Sequence, residues 1–338
     1  MKKVFLLAFL MISSQMSFGQ NGITRLLSAG LDDANTFADS YLSPGTDALA
    51  MGLSNGWFNT AKADSFGGFE VSVMANISIV SPDQQEFLLD EADYDILQFQ
   101  DKDIGSQMVA NVLGANDPEV AVKAVYEDNG ITNEVNFNLP QGLANEKINS
   151  VPGAMIQASA GLFSGFEISA RYLPEVQTDD VSAQLYGVGL KNELTNWLPF
   201  DKLFPFHIAG FVGYTKFDGK LKVENNFATN TAVNRYIESE MESWNYAAIV
   251  STKLPLINFY GSIGYIQASS SSDLIGTYQI DKGPLGIETV KDPISVSSDA
   301  SSIQANLGFK LDLKFIRING QYSIQEFDTV TVGLSFGI

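Results

Sequence analysis

Cysteine is absent from all 338 residues, and there is a single histidine, His207. Without cysteine there is no disulfide, no thiolate zinc site and no N-terminal thiol for lipid attachment. With one histidine, a Ser-His-Asp hydrolase would have to be built on His207. That residue follows Phe206 at the start of an apolar alternating run, and no serine lies beside it, so it reads as a rim or interface residue. Charge is sparse at 17%, and basic residues are outnumbered 20 to 39, for a net charge of −19. Phosphate binding needs a basic surface, so nucleic acid is not expected as a partner. There is no phosphate loop or dinucleotide fingerprint. The acids between Asp90 and Asp103 lack the spacing of an EF-hand. No cofactor, no metal and no enzymatic activity are expected. Beyond the first residues, no apolar run reaches the ~18–20 residues of a membrane helix. A chain of this kind can enter a membrane only as a closed barrel, the other way to satisfy every backbone polar group in lipid.

Alternation is what the sequence has in quantity. In Ser302–Leu313, Ile303, Ala305, Leu307, Phe309 and Leu311 share one face, and Gln304, Asn306, Gly308, Lys310 and Asp312 the other. The same two-residue period continues through Ile316, Ile318, Tyr322 and Ile324, then through Val330, Val332, Leu334 and Phe336. A soluble sheet shows the same alternation with its apolar face buried. Two features favour the opposite orientation. The polar faces carry Ser, Thr, Asn, Gln and Gly rather than the Lys and Glu of a water-facing sheet. The apolar faces run for about the ~9–11 tilted residues that cross a bilayer. The expected fold is an all-β, closed antiparallel transmembrane barrel of about 10–14 strands in the outer membrane of a Gram-negative bacterium, an even number being the rule. Outer-membrane lipid is then the first partner. The ending Thr331-x-Gly333-x-x-Phe336-x-Ile338 resembles the signal by which such barrels engage the barrel-assembly machinery.

In chain order, residues 1–19 read as a secretory signal: Lys2 and Lys3, an apolar Val4–Ile12 core and Ser17-Phe18-Gly19 before the cut. Residues 20–66 carry helical spacing at Leu31, Ala34, Ala38 and Tyr41, with a stop predicted at Ser43-Pro44-Gly45 and a second short helix after Thr46. This segment is either an N-terminal hatch filling the barrel or a periplasmic cap on its rim. The barrel itself occupies 67–338, with a long outer loop at 81–152 in which short helices are expected near Glu86–Phe99 and Pro118–Tyr126. Residues 269–300 read as another outer loop, and Pro174 as the end of a strand.

With the apolar faces on lipid, Glu70, Glu167, Arg171, Lys310, Arg317 and Gln321 line the lumen, since a basic residue on the lipid face at midplane costs roughly 2–4 kcal/mol. Pairing of Arg171 and Arg317 with Glu70 and Glu167 across a narrow interior is the plainest use of them.

Around the first strand the chain resembles the long-chain fatty-acid transporter (FadL-type) barrels, whose Asn-Pro-Ala hatch motif falls at Asn59-Thr60-Ala61, without the proline. The segments Tyr41-Leu42-Ser43-Pro44, Gly56-Trp57-Phe58-Asn59-Thr60-Ala61 and Gly189-Leu190-Lys191 look closer to an uncharacterised family of outer-membrane barrels. The transporter resemblance implies passage of a hydrophobic small molecule through a plugged barrel with a lateral exit, and Trp57, Phe58 and Asn59 as candidate hatch and cargo contacts. The competing reading is a structural or surface-binding barrel without transport.

Overall fold

The computed structural model describes residues 26–128, 131–146, 148–178, 180–198, 205–222, 235–281 and 286–337. Strand β1 (Phe69–Ile79) is followed by an insertion holding β2 (Glu86–Asp90), β3 (Leu97–Phe99), β4 (Ser106–Ala110), β5 (Ala121–Asp128) and β6 (Ile131–Asn138). Then come β7 (Ser150–Gly161), β8 (Phe166–Gln177), β9 (Val181–Glu193), β10 (Phe206–Lys222), β11 (Tyr236–Thr252) and β12 (Ile257–Ile275). The hairpin β13 (Thr277–Asp281) and β14 (Ile287–Lys291) precedes β15 (Ile294–Leu313), β16 (Ile316–Ile324) and β17 (Thr329–Gly337). Ten strands, β1, β7–β12 and β15–β17, close into one antiparallel barrel, with β1 hydrogen-bonded to both β7 and β17.

The orientation of the faces is decided by exposure. Ile303 is 76% exposed and Leu307 65%, while Gln304, Thr331 and Ser335 are fully buried. The aliphatic belt therefore lies outside and the amide and hydroxyl side chains inside. Aromatics bound the belt at two levels: Tyr172, Tyr186, Tyr214, Trp244 and Tyr265 on one side, Phe69, Phe259, Phe309, Phe315 and Phe336 on the other. Such paired girdles mark the two interfaces of a bilayer. Strands β10, β11, β12 and β15 hold 17, 17, 19 and 20 residues, so they rise well past the outer girdle. Where the serine-rich stretch after residue 268 predicts a loop, the β12–β15 ladder continues to Leu274↔Ile294. Small hydroxyl side chains pair across strands as readily as they decorate turns.

The insertion between β1 and β7 folds as two small sheets, β2–β4 and β3–β5–β6; of the short helices expected there, a single 3-10 turn at Glu91–Asp93 forms, and strands take the rest. The reason lies in Val120, Val122 and Ala124 with Phe137, which alternate toward a shared core with Leu89 and Leu97. Period two was the correct signal in those stretches.

One helix, α1 (Leu31–Leu53), runs down inside the barrel. It does not stop at Pro44, which lies within it. Proline removes one N–H from the ladder, but Ser43 Oγ donates to the Asp39 carbonyl and Thr46 Oγ1 to that of Ser43, and the surrounding wall holds both halves in line. Leu26 and Leu27, just before α1, pack into the core of the outer insertion. Asp33 accepts backbone N–H groups of Asp95, Ile96 and Leu97 in the same insertion. The strap thus enters at the outer end and descends to Gly67, whose N–H meets the Gly161 carbonyl at the inner end.

Candidate functional site: the plugged lumen

An irregular backbone at membrane depth survives only where protein satisfies its polar groups, and residues 54–66 are irregular. The wall supplies the partners one by one. Asn245 Nδ2 donates to the Ser54 carbonyl (2.9 Å), Gln157 Nε2 to that of Trp57 (3.0 Å) and Lys191 Nζ to that of Thr60 (3.3 Å). In the other direction, the N–H groups of Ala61, Ala63 and Asp64 donate to Ser251 Oγ, Glu193 Oε2 and Glu167 Oε2.

Arg171 is the centre of this arrangement. It is 1% exposed and, among the described residues, has no carboxylate partner. Its Nη1 donates to the Leu53 carbonyl (2.8 Å), Nη2 to that of Asn55 (2.7 Å) and Nε to Gln157 Oε1 (2.8 Å). The guanidinium therefore meets the C-terminal end of α1, where the helix dipole and unpaired carbonyls favour a cation. Its plane lies 3.7 Å from the centre of the Trp57 ring, an attractive cation–π contact. The indole also rests on Gly187, Gly189 and Gly213, where a Cβ would approach it to 2.8–3.1 Å. Only glycine leaves room for the indole there.

The remaining lumen charges gather at the inner end and neutralise one another. Glu70 Oε2 meets Lys310 Nζ at 3.2 Å and Arg317 Nη1 at 2.6 Å. Asn59 joins them, donating to Glu70 Oε1 and accepting from Lys310 Nζ. Glu167 pairs with Lys191 at 2.9 Å, rather than with Arg171. Glu193 accepts from Thr195 Oγ1 and faces His207 Nδ1 at 2.5 Å. His207 thus points inward and ties two strand ends together instead of sitting in the lipid interface. Gln321 donates to Asn306 Oδ1 and Ser323 Oγ. Phe58 packs with Phe211 and Tyr260. Among the described residues, no group of acids and histidine is placed to hold a metal ion.

Above this polar floor lies a cavity of about 390 Å³ between α1 and the wall. Leu49 and Leu53 of α1, Leu173, Phe217 and Met241 of the wall, and Val112 of the insertion enclose it. Trp57, Phe58 and Asn59 do not line it. The outward-facing Ala75, Ile77 and Ala154 also border this space, which therefore passes through the wall. The passage coincides with a gap in the sheet. β7 pairs with β1 along its whole length, to Ser150, but joins β8 only over Ile156–Gly161. Among the described residues, no ladder pairing links Ser150–Met155 to Leu173–Gln177. Pro152 and Pro174 flank that gap, and neither can donate to a ladder. β8 does not end at Pro174; it bulges between Leu173 and Val176 and keeps its bonds to β9. Sequence alone marks Pro174 as a strand end, and the register shows that it faces one seam with Pro152. The seam begins just above Tyr172, at the outer girdle.

Asp47, on α1 above that girdle, is pushed up to about 6 by burial, with Ser298 opposing and Glu326, Asp39 and Asp299 reinforcing the rise. The folded protein then holds this proton more tightly than the unfolded chain does. The associated stability is present at pH 4 and is lost as the pH rises through about 6. Unfolding midpoints measured from pH 4.5 to 7.5 are expected to fall over that window, and Asp47→Asn to flatten the fall.

A closed ten-strand barrel with an apolar exterior, two aromatic girdles and a lumen filled by its own N-terminal strap defines a plugged outer-membrane β-barrel. The chain belongs to DUF6588, a family of unknown function, which it matches over residues 1–338. No curated protein matches it. Among solved structures it is similar to the attachment invasion locus protein Ail of Yersinia pestis (9% identity, 80% of this chain, 97% of that one, TM-score 0.25). It is also similar to the translocator domain of the autotransporter NalP from Neisseria meningitidis (8%, 90% and 98%, TM-score 0.29). The outer membrane protein OpdK of Pseudomonas aeruginosa is a third (10%, 80% and 98%, TM-score 0.14). The fatty-acid transporter resemblance gains no support from these matches.

Proposed function

We propose that this barrel is a passive conduit for a hydrophobic small molecule, which passes between the outer side and the outer leaflet through the β7–β8 seam. The observation that carries the reading is the coincidence of an apolar cavity with an unzipped stretch of wall at the outer girdle. A water-filled pore would need polar walls and an open floor. Here the floor is closed by the Arg171–Trp57 contact and the ion pairs beneath it. Cavities of roughly 300–1,000 Å³ with mostly apolar walls are the usual size and chemistry of small-molecule sites.

Continuing the β7–β8 register past Ile156↔Tyr172 sets Ala154 opposite Pro174. In the variant carrying Ala154→Cys and Pro174→Cys, oxidation would close the seam. Uptake of a hydrophobic dye into cells bearing the oxidised protein is expected to drop to the level of cells lacking it, and to recover on reduction. Undiminished uptake with the disulfide formed would count against the seam as the route.

A second reading, a surface-binding barrel, is favoured by Leu88 and Met108, cross-strand partners on the outer insertion that are 59% and 45% exposed. It expects trimming of the insertion to abolish partner binding and leave dye uptake unchanged.

A further inference from the structure

We infer that the ligand of the apolar cavity is an uncharged molecule without an ionised head group, a neutral hydrocarbon or arene rather than a carboxylate-bearing chain. The inference rests on the conduit reading and narrows its substrate class.

The walls carry the argument. Among the described residues, the only charged side chain bordering the cavity is Lys220, at its outer rim, and it is engaged: its Nζ lies 2.7 Å from Glu238 Oε1 and 5.3 Å from the centre of the Tyr236 ring. The polar neutral groups of the lining are bonded to the protein as well. Thr46 Oγ1 donates to the Ser43 carbonyl and contacts Ser270 Oγ, and Ser239 pairs with Ser272. Ser182 Oγ donates to Glu175. Asn76 Nδ2 donates to the Gly52 carbonyl, and its Oδ1, without a partner among the described residues, is buried out of a ligand's reach.

Among the described residues, every lumen cation that would attract a carboxylate lies in or below the floor and is spoken for. Lys310 and Arg317 hold Glu70, Lys191 holds Glu167, and Arg171 is saturated by three acceptors. An ion moved from water into this cavity would lose its hydration and gain no counter-charge, which strongly opposes binding. A neutral apolar body loses nothing of that kind and gains the burial of its surface.

The test uses the full-length protein in lipid nanodiscs and a compact isosteric pair, 2-methylnaphthalene and 2-naphthoate at pH 8, too small for the charged end to reach the rim while the rings fill the cavity. Equilibrium dialysis against empty nanodiscs reads specific binding. Saturable one-to-one binding of 2-methylnaphthalene is expected, with 2-naphthoate weaker by about a hundredfold or more, the order set by desolvating an unpaired ion. The cavity-filling variants Ala183→Phe and, separately, Leu49→Trp are expected to remove the saturable binding. Comparable affinity for the two compounds, or tighter binding of the carboxylate, overturns the neutral class and leaves the conduit reading standing. No saturable binding of either compound overturns both. Binding that survives both filling variants places the ligand elsewhere and overturns the inference.

Discussion

Deleting residues 20–66 is expected to turn a closed barrel into an open pore. Eight strands make an interior that side chains alone can fill, and ten make a wider one, which α1 and the irregular strap occupy. A helix with its side chains is about 10–12 Å across, so removing the strap leaves a tunnel of that order. Polar side chains line much of it: Ser72, Asn76, Gln157, Asn245, Asn306, Gln321 and Thr331 face inward, beside the apolar stretch of Leu173, Phe217 and Met241. Water and ions would enter. In planar bilayers the intact protein is expected to be nearly silent, and the deleted form to show stable steps of ohmic current. Equal conductance of the two would mean that the strap does not fill the lumen.

The second large effect is expected at Arg171. Substitution by Met keeps much of the volume but removes the donors to the Leu53 and Asn55 carbonyls and the cation over Trp57. Three buried acceptors, these two carbonyls and Gln157 Oε1, lose this partner at roughly 1–3 kcal/mol each, and the lost cation–π contact adds about 1–2 kcal/mol. The strap should loosen by several kcal/mol while the barrel stays closed, because Arg171 contributes its backbone, not its side chain, to the β7–β8 and β8–β9 ladders. Hydrogen exchange separates the two: amides of residues 48–64 are expected to exchange far faster, with strand amides unchanged. Uniformly faster exchange would show that Arg171 supports the whole barrel instead. Lysine should not rescue, since one ammonium cannot span the three acceptors with a planar fork.

Much of the wall was legible because one face must meet lipid. In β15, β16 and β17 the chain cannot slip by one residue without placing Gln304, Asn319 or Thr331 in hydrocarbon. The Gly187-x-Gly189 pair was visible in the sequence too, but not its meaning, since Trp57 is 130 residues away from it in the chain. A lumen-facing arginine predicts half of an ion pair, because a buried guanidinium usually has one. What it meets instead is the end of a helix, and no local pattern links Leu53 and Asn55 to residue 171. Pro44 misled for a related reason: propensity stops a helix in water, and a surrounding wall overrides it. The outer insertion was misread where acids obscured a period-two core.

The direction of the strap sets the connectivity of the whole molecule. Ten barrel crossings alone would leave both ends of the polypeptide on the same side. The descent from Leu26, lodged in the outer insertion, to Gly67 adds an eleventh, so Leu26 and Gly337 lie on opposite sides of the membrane. A barrel threaded by its own beginning cannot be sealed first and filled later without pulling that beginning through a finished ring. Closure of β1 against β17 is therefore the natural last event of assembly, made around a strap already in place.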